Sequence, residues 1–192
     1  MKNFRTLLLA LPLVFFFACE TAVREKPINE YFDVESLIDE QTKLLAEMQP
    51  KVEKSIEVDG KKEQDTLEFD SMGWKNELEV FKLADINKPT LYDAYEATEE
   101  KTNEGKIWRY TTEKPALGIE YLYVYFNNDS SVTKLEAKYH ENNALYLSER
   151  NFEINFDNTD DLTVLESYKI YGKQKMVMKD EVTFSIESEV VD

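Results

Sequence analysis

The sequence predicts an α+β fold, with two N-terminal helices packed on a large curved antiparallel β-meander that has scope to curl toward a half-barrel. The expectation rests on three observations. Apolar residues recur at helical spacing between Val34 and Met48, and again between Trp74 and Phe81. From Thr90 onward, short β-rich runs follow one another at hairpin spacing. The connections between those runs are too short for parallel crossovers, which need a dozen or more residues.

The elements can be justified in order. Asp33 is placed as an N-cap, and Val34, Leu37, Ile38, Leu44, Leu45 and Met48 follow an i, i+3, i+4 course behind it. Gln41 fills the one polar position in that stripe, and Pro50 stops the helix. Val52, Ile56 and Val58 then alternate with polar residues up to Asp59-Gly60. Asp-Gly suits a type I′ hairpin turn, because both central positions need positive φ. A two-residue turn there sets Val58 against Lys61 and Val52 against Leu67. The middle of this hairpin is highly charged, so it should project or form a sheet edge.

Asp70 or Ser71 should cap the second helix, with Trp74, Leu78 and Phe81 on one face. It should end near Asn87-Lys88-Pro89, since the residue before proline avoids the helical region. Seven strands are expected after it, near Leu91–Thr98, Lys106–Thr112, Ile119–Phe126, Val132–Tyr139, Leu145–Phe156, Leu162–Tyr171 and Lys175–Glu187. Glu141-Asn142-Asn143 and Gly172-Lys173 read as the tightest turns between them. Hairpin-linked strands form a meander, and so large a sheet must twist.

The first thirty residues have a different character. Lys2 and Arg5 precede an apolar run of twelve residues, Leu7 to Ala18, interrupted by Pro12. A span needs about 20 apolar residues, so the run suits a cleavable export signal. An ordinary cleavage site needs small residues at −3 and −1. Cutting after Ala18 puts Phe16 at −3, and cutting after Ala22 puts Glu20 there. Phe16-Phe17-Ala18-Cys19 instead resembles the lipobox of bacterial lipoproteins, with Phe16 and Phe17 where that pattern usually has leucine and a small residue. The resemblance implies cleavage of residues 1–18 and lipidation of Cys19, the sole cysteine. An uncleaved anchor and a plainly secreted protein are the alternatives. Residues 19–30 then form a lipidated cysteine and tether, of which Glu20 to Glu30 reach at most about 36 Å at roughly 3.3 Å per residue. Residues 31–192 form a single α+β domain.

Two wider resemblances follow. The expected curved sheet resembles, at fold level, the envelope lipoprotein carriers that hold a lipid tail. In addition, Tyr31-Phe32-Asp33, the Asp59-Gly60 hairpin, Trp74-Lys75-Asn76-Glu77-Leu78, Ala84-Asp85-Ile86-Asn87-Lys88-Pro89 and Tyr171-Gly172-Lys173-Gln174-Lys175 look like segments of uncharacterised lipoproteins of Bacteroidota. That likeness covers most of the mature chain. It implies a bacterial envelope location and carries over no functional residue.

Composition narrows the partners. Loss of Lys2 and Arg5 with the signal leaves 21 of the 23 basic residues against 39 acidic ones, a formal charge of −18. Such a chain is not built to displace counterions from nucleic acid. It is also repelled by anionic membrane surfaces, so lipid on Cys19 must do the attaching. With that cysteine modified no disulfide can form, and the fold must rest on core packing. Eleven tyrosines and eleven phenylalanines, some of the latter in the signal, point to an aromatic-rich core.

Few residues carry chemistry. Tyr121, Tyr123 and Tyr125 share one face of a strand and Leu122, Val124 and Phe126 the other. The tyrosines are either a second core face or a platform for a ligand or partner, since a tyrosine ring joins a flat apolar surface to a polar tip. Phe152, Ile154 and Phe156, like Val182, Phe184 and Ile186, read as core, with the wall of an apolar cavity as the alternative. His140 is the only histidine and reads as a surface hairpin residue, without a second imidazole or thiolate for catalysis or metal binding. Asp157-Asn158-Thr159-Asp160-Asp161 fails as a calcium loop, because Leu162 and Tyr168 stand where the turn glycine and the bidentate glutamate belong. No phosphate-binding loop, nucleophile elbow or metalloprotease motif occurs.

The expected function is therefore that of a membrane-anchored, non-enzymatic binding or assembly module in the cell envelope, without cofactor or metal. Its partner would be an envelope protein, glycan or lipid. The alternative is a carrier or sensor of a lipophilic ligand held in the curved sheet.

Overall fold

Asp33 opens the first helix, its carboxylate accepting a hydrogen bond from the Ser36 N–H at 2.9 Å. In the computed structural model, which describes residues 30–114, 118–159 and 162–191, this helix α1 spans Val34–Met48. Val34, Leu37, Ile38, Gln41 and Leu45 are buried as the periodicity predicts, whereas Met48 on the last turn is exposed. Gln49 ends the helix in the left-handed region at φ 50°. Asp70 caps α2 (Ser71–Leu78) by accepting from the Gly73 N–H at 2.7 Å. The chain then tightens into a 3₁₀ segment, Glu79–Ala84, so that Trp74, Leu78 and Phe81 all reach the core.

Nine strands form one antiparallel sheet: β1 (Lys51–Val58), β2 (Lys61–Glu68), β3 (Glu96–Thr102), β4 (Gly105–Thr111), β5 (Ile119–Asn127), β6 (Val132–Asn142), β7 (Tyr146–Thr159), β8 (Leu162–Met176) and β9 (Glu181–Val191). Their order is β2-β1-β9-β8-β7-β6-β5-β4-β3. Strands β3 to β9 form the expected meander, and the N-terminal hairpin adds to its far side through β1. Asp59 and Gly60 take φ values of 49° and 78°, and the registers Val58↔Lys61 and Val52↔Leu67 follow from that turn. The sheet does not close into a barrel. Both edge strands, β2 and β3, are rich in charged side chains, which discourages pairing with another chain.

Three expectations need correction. The segment from Leu91 is not yet strand: Pro89–Leu91 forms a 3₁₀ turn that buries Leu91, and β3 starts at Glu96. Gly172-Lys173 is not a turn either, because β8 runs straight through it and reverses only after Met176. Glycine is needed at 172 because the neighbouring strand passes so closely. A Cβ there would lie 1.9 Å from the Glu149 carbonyl oxygen. Of the expected turn Glu141-Asn142-Asn143, the first two residues still belong to β6 and the reversal starts at Asn143, whose carboxamide oxygen accepts from the Leu145 and Tyr146 N–H groups.

One face of the sheet carries the core. Leu122, Val124, Leu135, Phe152, Ile154 and Leu165 are buried there. Phe81 meets Phe152 and Tyr168 edge-on at centroid separations of 5.8 and 5.2 Å, and Phe32 meets Phe126 at 6.0 Å. Phe152, Ile154 and Phe156 are thus core, as expected. Val182, Phe184 and Ile186 reach it only in part: Val182 is exposed, while Phe184 and Ile186 are half-buried and pack against the core.

Polar ties lock the helical layer in place. Glu77 on α2 accepts from the Lys54 ammonium of β1 and the Tyr168 hydroxyl of β8. Burial, reinforced by the Glu77 charge, pushes the Tyr168 phenol well above its usual range. Asp85 accepts from the N–H groups of Glu35 and Asn87, while the Asn87 side chain bonds the backbone of Tyr31 and Phe32. Gln41 is the most consequential of these ties. Its amide nitrogen donates to the Thr163 carbonyl at 2.9 Å, and its oxygen accepts from the Leu165 N–H at 2.7 Å. β9 pairs with β8 only from Ser167 onward, so the glutamine supplies the partner that a strand would otherwise provide.

Replacing Gln41 by alanine leaves the buried Leu165 N–H unsatisfied. Gln41→Ala is expected to destabilise the fold by about 2 kcal/mol, within the range for stranding a buried donor. Urea-unfolding midpoints at unchanged slope would measure it, and a loss below about 0.5 kcal/mol, the level of an ordinary surface substitution, would contradict the role.

Candidate functional site: the open face of the sheet

Alternation along each strand sends the core residues toward the helices and their neighbours to the opposite side. The ladder aligns those neighbours across the sheet. Arg109, Tyr123, Glu136, Glu153, Lys169, Glu187, Ser55 and Gln64 form one row running from β4 to β2. Next to it run Ile107, Tyr125, Lys134, Asn155, Ser167, Glu189, Glu53 and Thr66. No described element covers this face, and it divides into an aromatic part and a polar part.

The aromatic part is the tyrosine row of β5. Tyr121, Tyr123 and Tyr125 are each half-buried. Tyr121 and Tyr123 stack at 4.6 Å with 24° between their planes. The Arg109 guanidinium lies 4.7 Å from the Tyr123 ring centroid, and Glu100 holds that guanidinium through Nε and Nη2 at 2.9 and 2.8 Å. The Tyr125 hydroxyl donates to Glu136 at 2.7 Å, and Lys134 binds the same carboxylate at 2.6 Å. Burial and the Glu136 hydrogen bond push the Tyr125 phenol well above its usual range. Burial, with Glu136 nearby, also raises Tyr121. Burial works against the Glu136 charge, but hydrogen bonds from Lys134 and Tyr125 outweigh it and hold the carboxyl below its usual range. The Tyr121 and Tyr125 phenols therefore stay neutral at physiological pH. They offer fixed rings and hydrogen-bonding tips rather than a base or nucleophile.

The polar part is a trough of about 820 Å³ over β2, β1, β9, β8 and β7. Glu53, Ser55, Gln64, Thr66, Glu153, Asn155, Ser167, Lys169, Glu187 and Glu189 line it. Lys169 pairs with Glu187 at 2.6 Å, raising the lysine and lowering the glutamate, and Asn155 donates to Ser167 at 3.0 Å. Glu53 stands opposite Glu189 in the ladder, and neither has an ion-pair partner among the described residues. Like charges directly opposed destabilise a sheet. The trough is thus acidic.

The sequence singled out the tyrosine row but not the trough, whose residues come from segments up to 136 positions apart, Glu53 to Glu189. The only local signal was the polar half of each alternating strand. Cys19 lies outside the described residues. His140 sits within β6 opposite Glu149, on the β6–β7 hairpin and half-buried, and its backbone N–H donates to the Gly118 carbonyl at 2.6 Å. Asp157 accepts from the Asn158 N–H and the Thr159 hydroxyl and lies within β7, opposite Val164. Asp160 and Asp161 lie outside the described residues. Among the described residues no three His, Cys, Asp or Glu side chains converge on a metal position. No described helix is long and apolar enough to cross a membrane.

On the helical side, a second groove of about 400 Å³ runs beside the 3₁₀ segment. Val80, Ile170, Phe184 and Ile186 form its apolar wall, and Lys54, Glu77, Arg150 and Gln174 its polar rim.

Comparison with protein-family models, with curated proteins and with solved structures finds no match to this chain.

The depressed Glu136 pKa has a definite consequence. Its contribution to stability is complete above the ordinary carboxylate value of 4.5 and is lost as pH falls through the lower folded-state value. Glu136→Gln should therefore be less stable than the parent at neutral pH, with the gap closing below pH 4.5. Denaturant midpoints followed against pH would check this, and a gap that widened in acid would contradict the assignment.

Proposed function

We propose that this is a lipid-anchored bacterial envelope protein that acts as a non-enzymatic binding or assembly module, docking a partner on the open face of its sheet. The observation that carries the proposal is the combination on one uncovered surface of three fixed tyrosines with an acidic polar trough. A surface serving stability alone has no use for an unrelieved Glu53–Glu189 opposition. A partner that brings cationic or hydrogen-bond-donating groups relieves it. Tyrosine rings already held by Arg109, Lys134 and Glu136 lose little freedom when a protein surface or a sugar ring settles on them. In this reading the two N-terminal helices fill one side of a curved sheet, and the bend of the sheet shapes the trough on the other.

Anchorage comes from the sequence. Residues 1–18 are the export signal, Cys19 carries the lipid, and residues up to 30 tether the domain. A single acyl chain holds a protein only marginally, and the lipoprotein modification supplies more than one.

The second reading, a carrier or sensor of a lipophilic ligand, draws on the apolar groove of Val80, Ile170, Phe184 and Ile186. That groove is open and has charged groups at its rim, and the larger trough is polar. Both features favour partner binding over carriage.

A photocrosslinking amino acid at Tyr123, compared with one at the exposed Met72 of α2, tests the docking face in the full chain within cells. A discrete adduct is expected from position 123 and none from 72. No adduct at 123, or the same adduct from both, would refute the assignment. The anchor is tested separately. Cys19→Ser protein, exported normally, should leave the membrane fraction, and membrane association like the parent's would refute lipidation.

A further inference from the structure

We infer that the tip of the β8–β9 hairpin, joined by Leu145 of the β6–β7 turn, is a second membrane contact that rests on lipid headgroups. Leu145 is 71% exposed, Val177 59% and Met178 100%, and Met176 beside them is also exposed. The Val177 N–H donates to the Leu145 carbonyl at 3.0 Å, so two hairpins share one knob. Met178 takes φ 62°, a conformation that turns normally give to glycine or asparagine. An apolar side chain placed there, fully in water, gains nothing from the local backbone and nothing from the core. Contiguous exposed apolar side chains mark a contact surface.

The flanking charge identifies the occupant. Lys175 and Lys179 are exposed and have no ion-pair partner among the described residues. The hairpin from Lys173 to Glu181 has three lysines against Asp180 and Glu181, in a chain whose net charge is −16. Exposed lysines beside a protruding apolar knob match the boundary between phosphate headgroups and acyl chains. A two-fold contact between copies would instead bring the same lysines together.

The position fits as well. The Tyr95 hydroxyl donates to the Ile119 carbonyl, and Tyr31 packs on Tyr95, so the chain enters the domain at the Ile119 end of the sheet. The ladder aligns Ile119 with Tyr139, Arg150 and Gly172. From Gly172 the hairpin runs on past that row by about 13 Å to Met176, at roughly 3.3 Å per residue. The lateral offset from β5 to β8 is three ladder spacings, about 14 Å. Both distances lie within the reach of about 36 Å available to residues 19–29. A lipid on Cys19 and the knob can therefore meet one bilayer together, an inference that rests on the anchor proposed above.

The test uses the full-length lipidated protein in mixed phosphatidylethanolamine–phosphatidylglycerol vesicles. With Cys19 occupied, Met178→Cys provides the one free thiol for an environment-sensitive fluorophore, and Asp129→Cys provides a control at the opposite end of the sheet. Emission from position 178 should shift to the blue and be quenched by nitroxide-bearing lipid, while emission from 129 should respond only to a water-soluble quencher. The inference fails if 178 behaves like 129, or if its blue shift depends on protein density in the vesicle and not on lipid nitroxide, the behaviour of an interface between copies. Labelling of the parent protein would show Cys19 free and refute the anchor alone. Cys19→Ser/Met178→Cys, mixed with the same vesicles, would then decide the tip by the same contrast.

Discussion

Every feature of this protein depends on one constraint, the unbroken antiparallel ladder from β3 to β2. Side chains alternate with period two, so a slip of one residue in any strand would move its apolar set from the core to water. The ladder absorbs irregularities at β-bulges, as between Asn155 and Phe156, where β8 accommodates an extra residue and Tyr168 still reaches the core. Because the register is kept, Phe152, Ile154 and Leu135 stay under the helices while Glu153, Asn155 and Glu136 stay on the open side. The site is thus a by-product of the same periodicity that builds the core.

The two faces divide the work. The helical face uses aromatic edge contacts and buried aliphatic groups, and its stability comes chiefly from apolar surface removed from water. Trp74 Nε1 and the Ser148 hydroxyl are buried there without a hydrogen-bond partner among the described residues, but the charged and amide groups are ties with defined partners. Gln41 completes the β8 edge, Asp85 and Asn87 fasten the entry of α1, and Glu77 gathers Lys54 and Tyr168. Burying such groups is tolerable only because each is satisfied. The open face follows a different logic. Its side chains are held by neighbours of opposite charge or by stacking, yet Glu53 and Glu189 face each other without relief. Fixed rings beside an unrelieved charge are the features on which the proposed docking of a partner rests.

Several parts were legible because they depend on neighbours close in sequence. The caps at Asp33 and Asp70, the left-handed demand at Asp59-Gly60 and the helical spacing of Trp74, Leu78 and Phe81 are set within a few residues. Gly172 shows where local reasoning fails. A glycine serves a tight turn and a close strand crossing equally well, and only the approach of the Glu149 carbonyl distinguishes them. Val182, Phe184 and Ile186 show the same limit for burial. Their alternation marks a strand face, but alternation does not say how far the helical layer extends over it.

By itself the sequence determined the two helices, the first hairpin with its register, and the antiparallel meander, because caps, turns and periodicities are short-range properties of the chain. Tertiary structure alone decided that β1 would join β9, that Gln41 would serve as a strand's partner, and that tyrosines of β5 would share a face with glutamates of β1 and β9. Those outcomes bring together residues far apart in the chain, 122 positions between Gln41 and Thr163 and 68 between Tyr121 and Glu189. Their pairing is set by which surfaces can be buried together, and no local pattern in the chain records that.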